Sequence, residues 1–284
     1  MDRLGEDLYE VSEGVRSSLH ACSLVCRSWL PRARKNAFCH VVLWNKNINT
    51  VKSVLRSNPS LGLLVLDCFL ELQDPGRAYF LREPLSCSMT SLLLVCITYF
   101  PNIRHLSMYF WAGLTREHGD IYKLISYLPN ITTVTISTFK PAPYSVLCRL
   151  LSCFKSVRYV STSGFNLPFI TPLSSHCVMA HKIERFCLDF RGDGASAGIV
   201  PFVTWLLNTQ VLKTFVRRVA ISMGNDEKKG NNIPTMNWVI ASILGESGSS
   251  LTHFYFSIRS GYFDPLWMNG LIGEFPALYT PLLF

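Results

Sequence analysis

The feature that most constrains this chain is a recurring triplet of apolar positions, spaced apolar-x-x-apolar-x-apolar. It reads Leu61/Leu64/Leu66, Ile103/Leu106/Met108, Ile131/Val134/Ile136, Val157/Val160/Thr162, Ile183/Phe186/Leu188 and Leu251/Phe254/Phe256. Pro59, Pro101 and Pro129 each stand two positions before a triplet. Leu212 and Phe215 begin another copy, in which Arg217 occupies the third place, and Pro276-Ala277-Leu278 reads as the start of a last one. Successive starts are 42, 28, 26, 26, 29, 39 and 27 residues apart. A short strand of this kind cannot bury its apolar side alone, so each unit must stack on its neighbours.

Amphipathic stretches lie between the triplets. Ile121–Leu128, Tyr144–Phe154, Ile199–Asn208 and Met236–Leu244 carry helical spacing, and each precedes a strand. Strand, loop, helix and strand at this period predict an α/β solenoid, with a parallel sheet on one side and helices on the other. Five of the seven intervals lie near the 20–29 residue period of leucine-rich repeats. The pattern resembles irregular leucine-rich repeats, about seven of them, over residues 45–284. Phe69, Trp111, Phe139 and Phe165 each stand eight positions after a start, where such repeats usually carry Asn or Cys. Solvent-facing strand positions are expected at Leu63, Val65, Arg104, His105, Thr132 and Thr135. Met223–Asn232 reads as a solvated loop.

Composition narrows the class. Of 284 residues, 49% are hydrophobic and 16% charged, which excludes a disordered chain. The longest apolar run, around Leu92–Ile97, is far short of the roughly 20 residues of a spanning helix. No membrane association is expected. The acidic opening MDRLGEDLYE lacks a basic and then apolar leader, so no secretory signal is expected. The ten cysteines have no CxxC spacing and are read as reduced thiols of a cytoplasmic or nuclear protein. Net charge is +8, made of −4 over residues 1–13, +8 over residues 14–56 and +4 over the rest. The excess is local and coincides with a helical segment, so no nucleic-acid partner is inferred from it.

That segment, residues 1–44, is read as a separate small helical unit. Leu19, Cys22, Val25, Cys26 and Trp29 recur at helical spacing, and Pro31 ends the helix. Leu19–Phe38, with its core Ala21-Cys22-Ser23-Leu24-Val25-Cys26-Arg27-Ser28-Trp29, resembles the central and C-terminal part of an F-box of fungal type. The usual Leu-Pro-x-Glu opening of that motif is replaced by Met1-Asp-Arg-Leu-Gly-Glu-Asp-Leu-Tyr-Glu10, so the F-box is expected to be N-terminally incomplete. The resemblance implies a substrate-recognition subunit of an SCF-type (cullin-RING) ubiquitin ligase. Leu19, Cys22, Val25, Cys26 and Trp29 would face a Skp-type adaptor, and the repeats would hold a protein substrate. It implies no cofactor and no catalysis. The alternative is a non-catalytic repeat scaffold with a decayed F-box.

Two further chemistries have partial support in the sequence. Gly194-Ala-Ser196-Ala-Gly198 matches the G-x-S-x-G elbow of α/β-hydrolases, with Asp226 and His253 following in triad order. An Arg191-Gly-Asp193 spacer and the lack of an HGGG-type segment weigh against a serine hydrolase. His20, Cys22, Cys26, Cys39 and His40 cluster in sequence, but lack the paired spacing of structural zinc sites, so no metal is expected.

Overall fold

The computed structural model describes residues 35–44, 47–72, 89–110, 119–167, 183–190, 195–208, 216–224, 233–247 and 250–259. Eight strands form a single sheet: β1 (His40–Trp44), β2 (Asp67–Leu72), β3 (His105–Phe110), β4 (Thr133–Pro143), β5 (Tyr159–Leu167), β6 (Arg185–Phe190), β7 (Arg218–Gly224) and β8 (His253–Arg259). They lie in sequence order and every neighbouring pair is parallel. Helices α1 (Ile48–Ser57), α2 (Met89–Tyr99), α3 (Gly119–Ile125), α4 (Tyr144–Cys153), α5 (Ala195–Asn208) and α6 (Ile233–Ser247) fall between strands. A parallel sheet needs such a crossover after each strand. The fold is therefore α/β with one sequentially ordered parallel sheet.

One backbone contact recurs at each step. The carbonyl just before a strand accepts two N–H groups from the residues entering the next strand. Cys39 O accepts from Leu66 and Asp67, Leu66 O from Arg104 and His105, and Arg104 O from Thr132 and Thr133. Thr132, Arg158, Glu184 and Arg217 carbonyls repeat the arrangement, at donor distances of 2.8 to 3.1 Å. From Leu66 onward the residue before each such carbonyl is buried: Val65, Ile103, Ile131, Val157, Ile183 and Val216, and Leu251 is buried at the equivalent place before β8.

This contact fixes the register and corrects two expected strands. Leu61/Leu64 belong to a 3-10 helix, Pro59–Leu64, and the strand triplet is Val65/Cys68/Leu70, four residues later. Val65 is consequently core, not surface. Likewise Val216/Val219/Ile221 replaces Leu212/Phe215/Arg217, and Arg217 moves to an exposed position. The cause is shared periodicity, because an i, i+3 apolar pair suits one turn of helix as well as the entry to a strand. Phe69 also leaves the proposed aromatic series. It sits inside β2, half-buried, with its ring 5.7 Å from that of Tyr109. The sheet begins at His40, within the segment 1–44 assigned to helices. Met223 and Gly224 end β7 and are not loop. The copy at Pro276–Leu278 lies outside the described residues.

The Pro-Asn steps have a physical role. Asn102 Nδ2 donates to Leu63 O at 2.8 Å, and Asn130 Nδ2 donates to Pro101 O at 3.0 Å. Each side chain satisfies a turn carbonyl of the preceding unit, which would otherwise lack a donor.

The core lies between the sheet and the helices. Leu43, Leu70, Met108, Ile136, Thr162, Leu188 and Ile221 make one fully covered row across seven strands. Leu92, Leu93 and Cys96 of α2, Ile121 and Ile125 of α3, and Leu147 and Leu151 of α4 close over it. Cys68 and Cys96 Sγ atoms meet at 3.5 Å, and burial pushes the Cys68 thiol well above its usual range. An aromatic group joins α4, β5, β6 and α5. Phe202 stacks on Tyr144 at 4.8 Å and touches Phe186 and Trp205, while Tyr144 reaches Phe165.

Two glycines are dictated by space. Gly164 has φ of 81°, and a Cβ there would stand 2.0 Å from Thr138 O. This is where β4 and β5 change register, between Ser137 and Ala142. A Cβ on Gly62 would stand 2.1 Å from Tyr99 O. Gly164→Ala is expected to cost about 2–4 kcal/mol, from a left-handed backbone and a backbone clash together. Phe202→Ala, which opens a cavity beside three aromatic rings, is expected to cost about 3–5 kcal/mol. Urea unfolding of both variants measures these losses; a change under about 1 kcal/mol for either contradicts the packing described.

Candidate functional site

Strand alternation sends every second side chain to the face opposite the helices. The register aligns these side chains into rows across the sheet. The row at the strand starts reads His40, Asp67, His105, Thr133, Tyr159, Arg185, Arg218, His253. The next row reads Val42, Phe69, Ser107, Thr135, Ser161, Cys187, Ala220, Tyr255. Every residue of both rows is half-buried or exposed, so the described helices leave this face open.

Chemistry differs along the strand-start row. At its beginning, the Asp67 carboxylate lies between two imidazoles, with His40 Nδ1 at one oxygen and His105 Nδ1 at the other. Both histidines are more than half exposed in these contacts. Cys39 is adjacent. Burial, then Asp67, raises its thiol above the usual range, and the thiol donates to Asn36 O at 3.0 Å. Among the described residues no group of three or more His, Cys, Asp or Glu is arranged to hold a metal ion.

Further along, the Arg185 guanidinium lies 4.8 Å from the centre of the Tyr159 ring. Arg158 and Glu184, one position before their strands, approach to 3.6 Å. His253 stacks on Tyr255 at 6.3 Å, and Tyr255 is 48% exposed. In the middle, Thr133, Thr135, Ser161 and Ser163 make a low polar floor, and Ser163 Oγ donates to Ser137 Oγ at 2.8 Å. The arrangement offers hydroxyls, imidazoles and guanidinium groups on a rigid sheet.

The expected surface residues are divided by the structure. Arg104 and His105 are exposed, and Thr135 is half-buried in the second row. Leu63 is exposed but sits in the 3-10 helix. The F-box-like residues Leu19, Cys22, Val25, Cys26 and Trp29 lie outside the described residues. Sequence reasoning missed Asp67, Tyr159, Arg185 and Arg218. Their signal, a polar residue two places after each buried start, is legible only once the starts are registered.

For the hydrolase alternative, Ser196 is the second residue of α5, past the C-terminal end of β6, while His253 opens β8 at the opposite end of the sheet. At about 3.3 Å per residue, a six-residue strand separates those ends by roughly 17 Å, far beyond a hydrogen bond. Asp226 lies outside the described residues. Among the described residues no helix is long and apolar enough to cross a membrane. Comparison with protein-family models, curated proteins and solved structures finds no match.

Ser196 in the folded protein is expected to form no adduct with a serine-directed fluorophosphonate. Intact-mass measurement after labelling checks this, and a stoichiometric adduct at Ser196 reinstates the hydrolase reading.

Proposed function

We propose that the chain is a non-catalytic substrate-recognition subunit of an SCF-type ubiquitin ligase. In this reading the described fold is an array of irregular leucine-rich repeats. Residues from Leu19 to Phe38 form an F-box-like docking element for a Skp-type adaptor. The observation that carries the reading is the adjacency of two things: the Ala21–Trp29 wording, and a sheet whose strands follow one another in order from His40 onward. The open sheet face supports it, because a receptor must present a broad, stable surface and need not perform chemistry. The basic stretch over residues 14–56 supports it too, since a positive segment is steered toward an acidic adaptor. Positioning would be the mechanism: one end anchored, the sheet face holding substrate near the rest of the assembly, so that a bimolecular encounter becomes effectively intramolecular. A cytoplasmic or nuclear location belongs to the same proposal.

The test is capture of a purified Skp-type adaptor by the full chain. Binding is expected in the micromolar range or tighter. Trp29→Ala is expected to weaken it by about tenfold or more, as truncation of an aromatic anchor does. If the intact chain captures no adaptor, the ligase role fails, and a repeat scaffold with a decayed F-box takes its place.

A further inference from the structure

The second half of the strand-start row carries unbalanced positive charge. Entering β5 to β8, the chain reads Arg158-Tyr159, Glu184-Arg185, Arg217-Arg218 and Thr252-His253. This half of the row holds two arginines and no carboxylate, and the entry positions just before it hold Arg158 and Arg217 against Glu184. The glutamate is already engaged, since Glu184 faces Arg158 at 3.6 Å. Arg185, Arg217 and Arg218 are exposed, and none of them has a carboxylate within ion-pair distance among the described residues. Arg185 and Arg218 are also direct register partners on adjacent strands. Like charges directly opposite one another weaken a sheet. The fold holds these groups together without neutralising them.

Geometry adds to charge. Register partners on neighbouring strands stand about 4.8 Å apart, so the cationic groups make a short row across the strands. Beside that row Ser161, Cys187 and Ala220 are small, which leaves room over the floor of the sheet. Exposed Tyr255 closes the far end of this floor.

We propose that Arg185, Arg218 and His253 of the strand-start row, with exposed Arg217 at the entry to β7, form a docking site for an acidic peptide segment, rich in Asp and Glu, that runs across β6 to β8. The guanidinium fork matches a carboxylate in two-point fashion, and two or three successive carboxylates would supply the missing charge. A nucleic-acid strand fits less well. Base stacking requires free aromatic faces, but Tyr159 carries the Arg185 guanidinium and Tyr255 stacks on His253. A longer phosphate track is broken by Asp67 at the start of the same row and Glu71 on the same face. In calling the peptide a substrate the proposal rests on the receptor reading; as a binding site it does not.

The full chain is titrated against a fluorescein-labelled peptide of Asp, Glu, Gly and Ser, its Asn/Gln counterpart, and a single-stranded oligonucleotide, with anisotropy as readout. The acidic peptide is expected to bind at least about tenfold tighter than the amide peptide and to weaken as salt rises. The double variant Arg185→Glu, Arg218→Glu is expected to abolish the preference, with an unchanged circular dichroism spectrum and melting midpoint. Arg218→Lys is expected to keep only part of the preference, since the charge remains and the two-point contact is lost. Equal affinity for the two peptides, no binding of either, or a preference for the acidic peptide that survives the double variant overturns the proposal. So does tighter binding of the oligonucleotide that is lost in the double variant. Adaptor capture is read separately. Adaptor binding without peptide binding defeats the docking site alone; peptide binding without adaptor binding defeats the ligase reading alone.

Discussion

A carbonyl shared between two N–H donors is the constraint on which the rest of the structure depends. It recurs from Cys39 to Arg217, always one residue before a strand, and it locks each strand entry onto the one before. The contact uses only backbone atoms. It therefore tolerates Leu66, Thr132, Glu184 and Arg217 at the same place. From Leu66 onward it is paired with a buried residue just before it, from Val65 to Val216, which anchors the entry to the core. Given that pair, parallel register follows, and every second strand residue is committed to one face.

The consequence is a division of labour between the two faces. Toward the helices the rows are aliphatic and aromatic, and the group around Phe202 and Tyr144 ties β5 and β6 to α4 and α5. Burial holds the Tyr144 hydroxyl well above its usual range, so it stays neutral there. On the other face the rows need not pack, and they vary: a His–Asp–His group at one end, hydroxyls in the middle, guanidinium groups at the other. A face free of packing duty, on a rigid frame, is where recognition chemistry can differ without cost to the fold. The Arg158–Glu184 pair at the strand entries is partly exposed and worth under about 1 kcal/mol.

Irregularity of spacing is accommodated at the connections. Aligned strand starts from His40 to His253 are 27, 38, 28, 26, 26, 33 and 35 residues apart. The strands keep one register despite this spread, because length added between a strand and the next entry leaves both backbone contacts intact. At Gly164 the compromise is local, with β4 and β5 losing register past Ser137 and a left-handed glycine making room for the Thr138 carbonyl.

The sequence by itself determined the alternation of strand and helix, the parallel sheet, and the buried triplets at Ile103, Ile131, Val157 and Ile183, with the buried start at Leu251. In those units the apolar spacing is bounded by a Pro-Asn step or a polar strand entry, so only one register buries it. It determined α3 to α6 for the same reason, since their apolar stripes have one helical solution. Tertiary structure decided Val65 over Leu61 and Val216 over Leu212, because apolar residues at three- and four-residue intervals satisfy a helical turn and a strand entry alike, and only the neighbouring strand's carbonyl chooses between them. It also decided the open face. Asp67 meets His40 and His105, and Arg185 meets Tyr159 and Arg218, across intervals of 26 to 38 residues. No local pattern encodes such meetings; they arise when register aligns one residue from each strand.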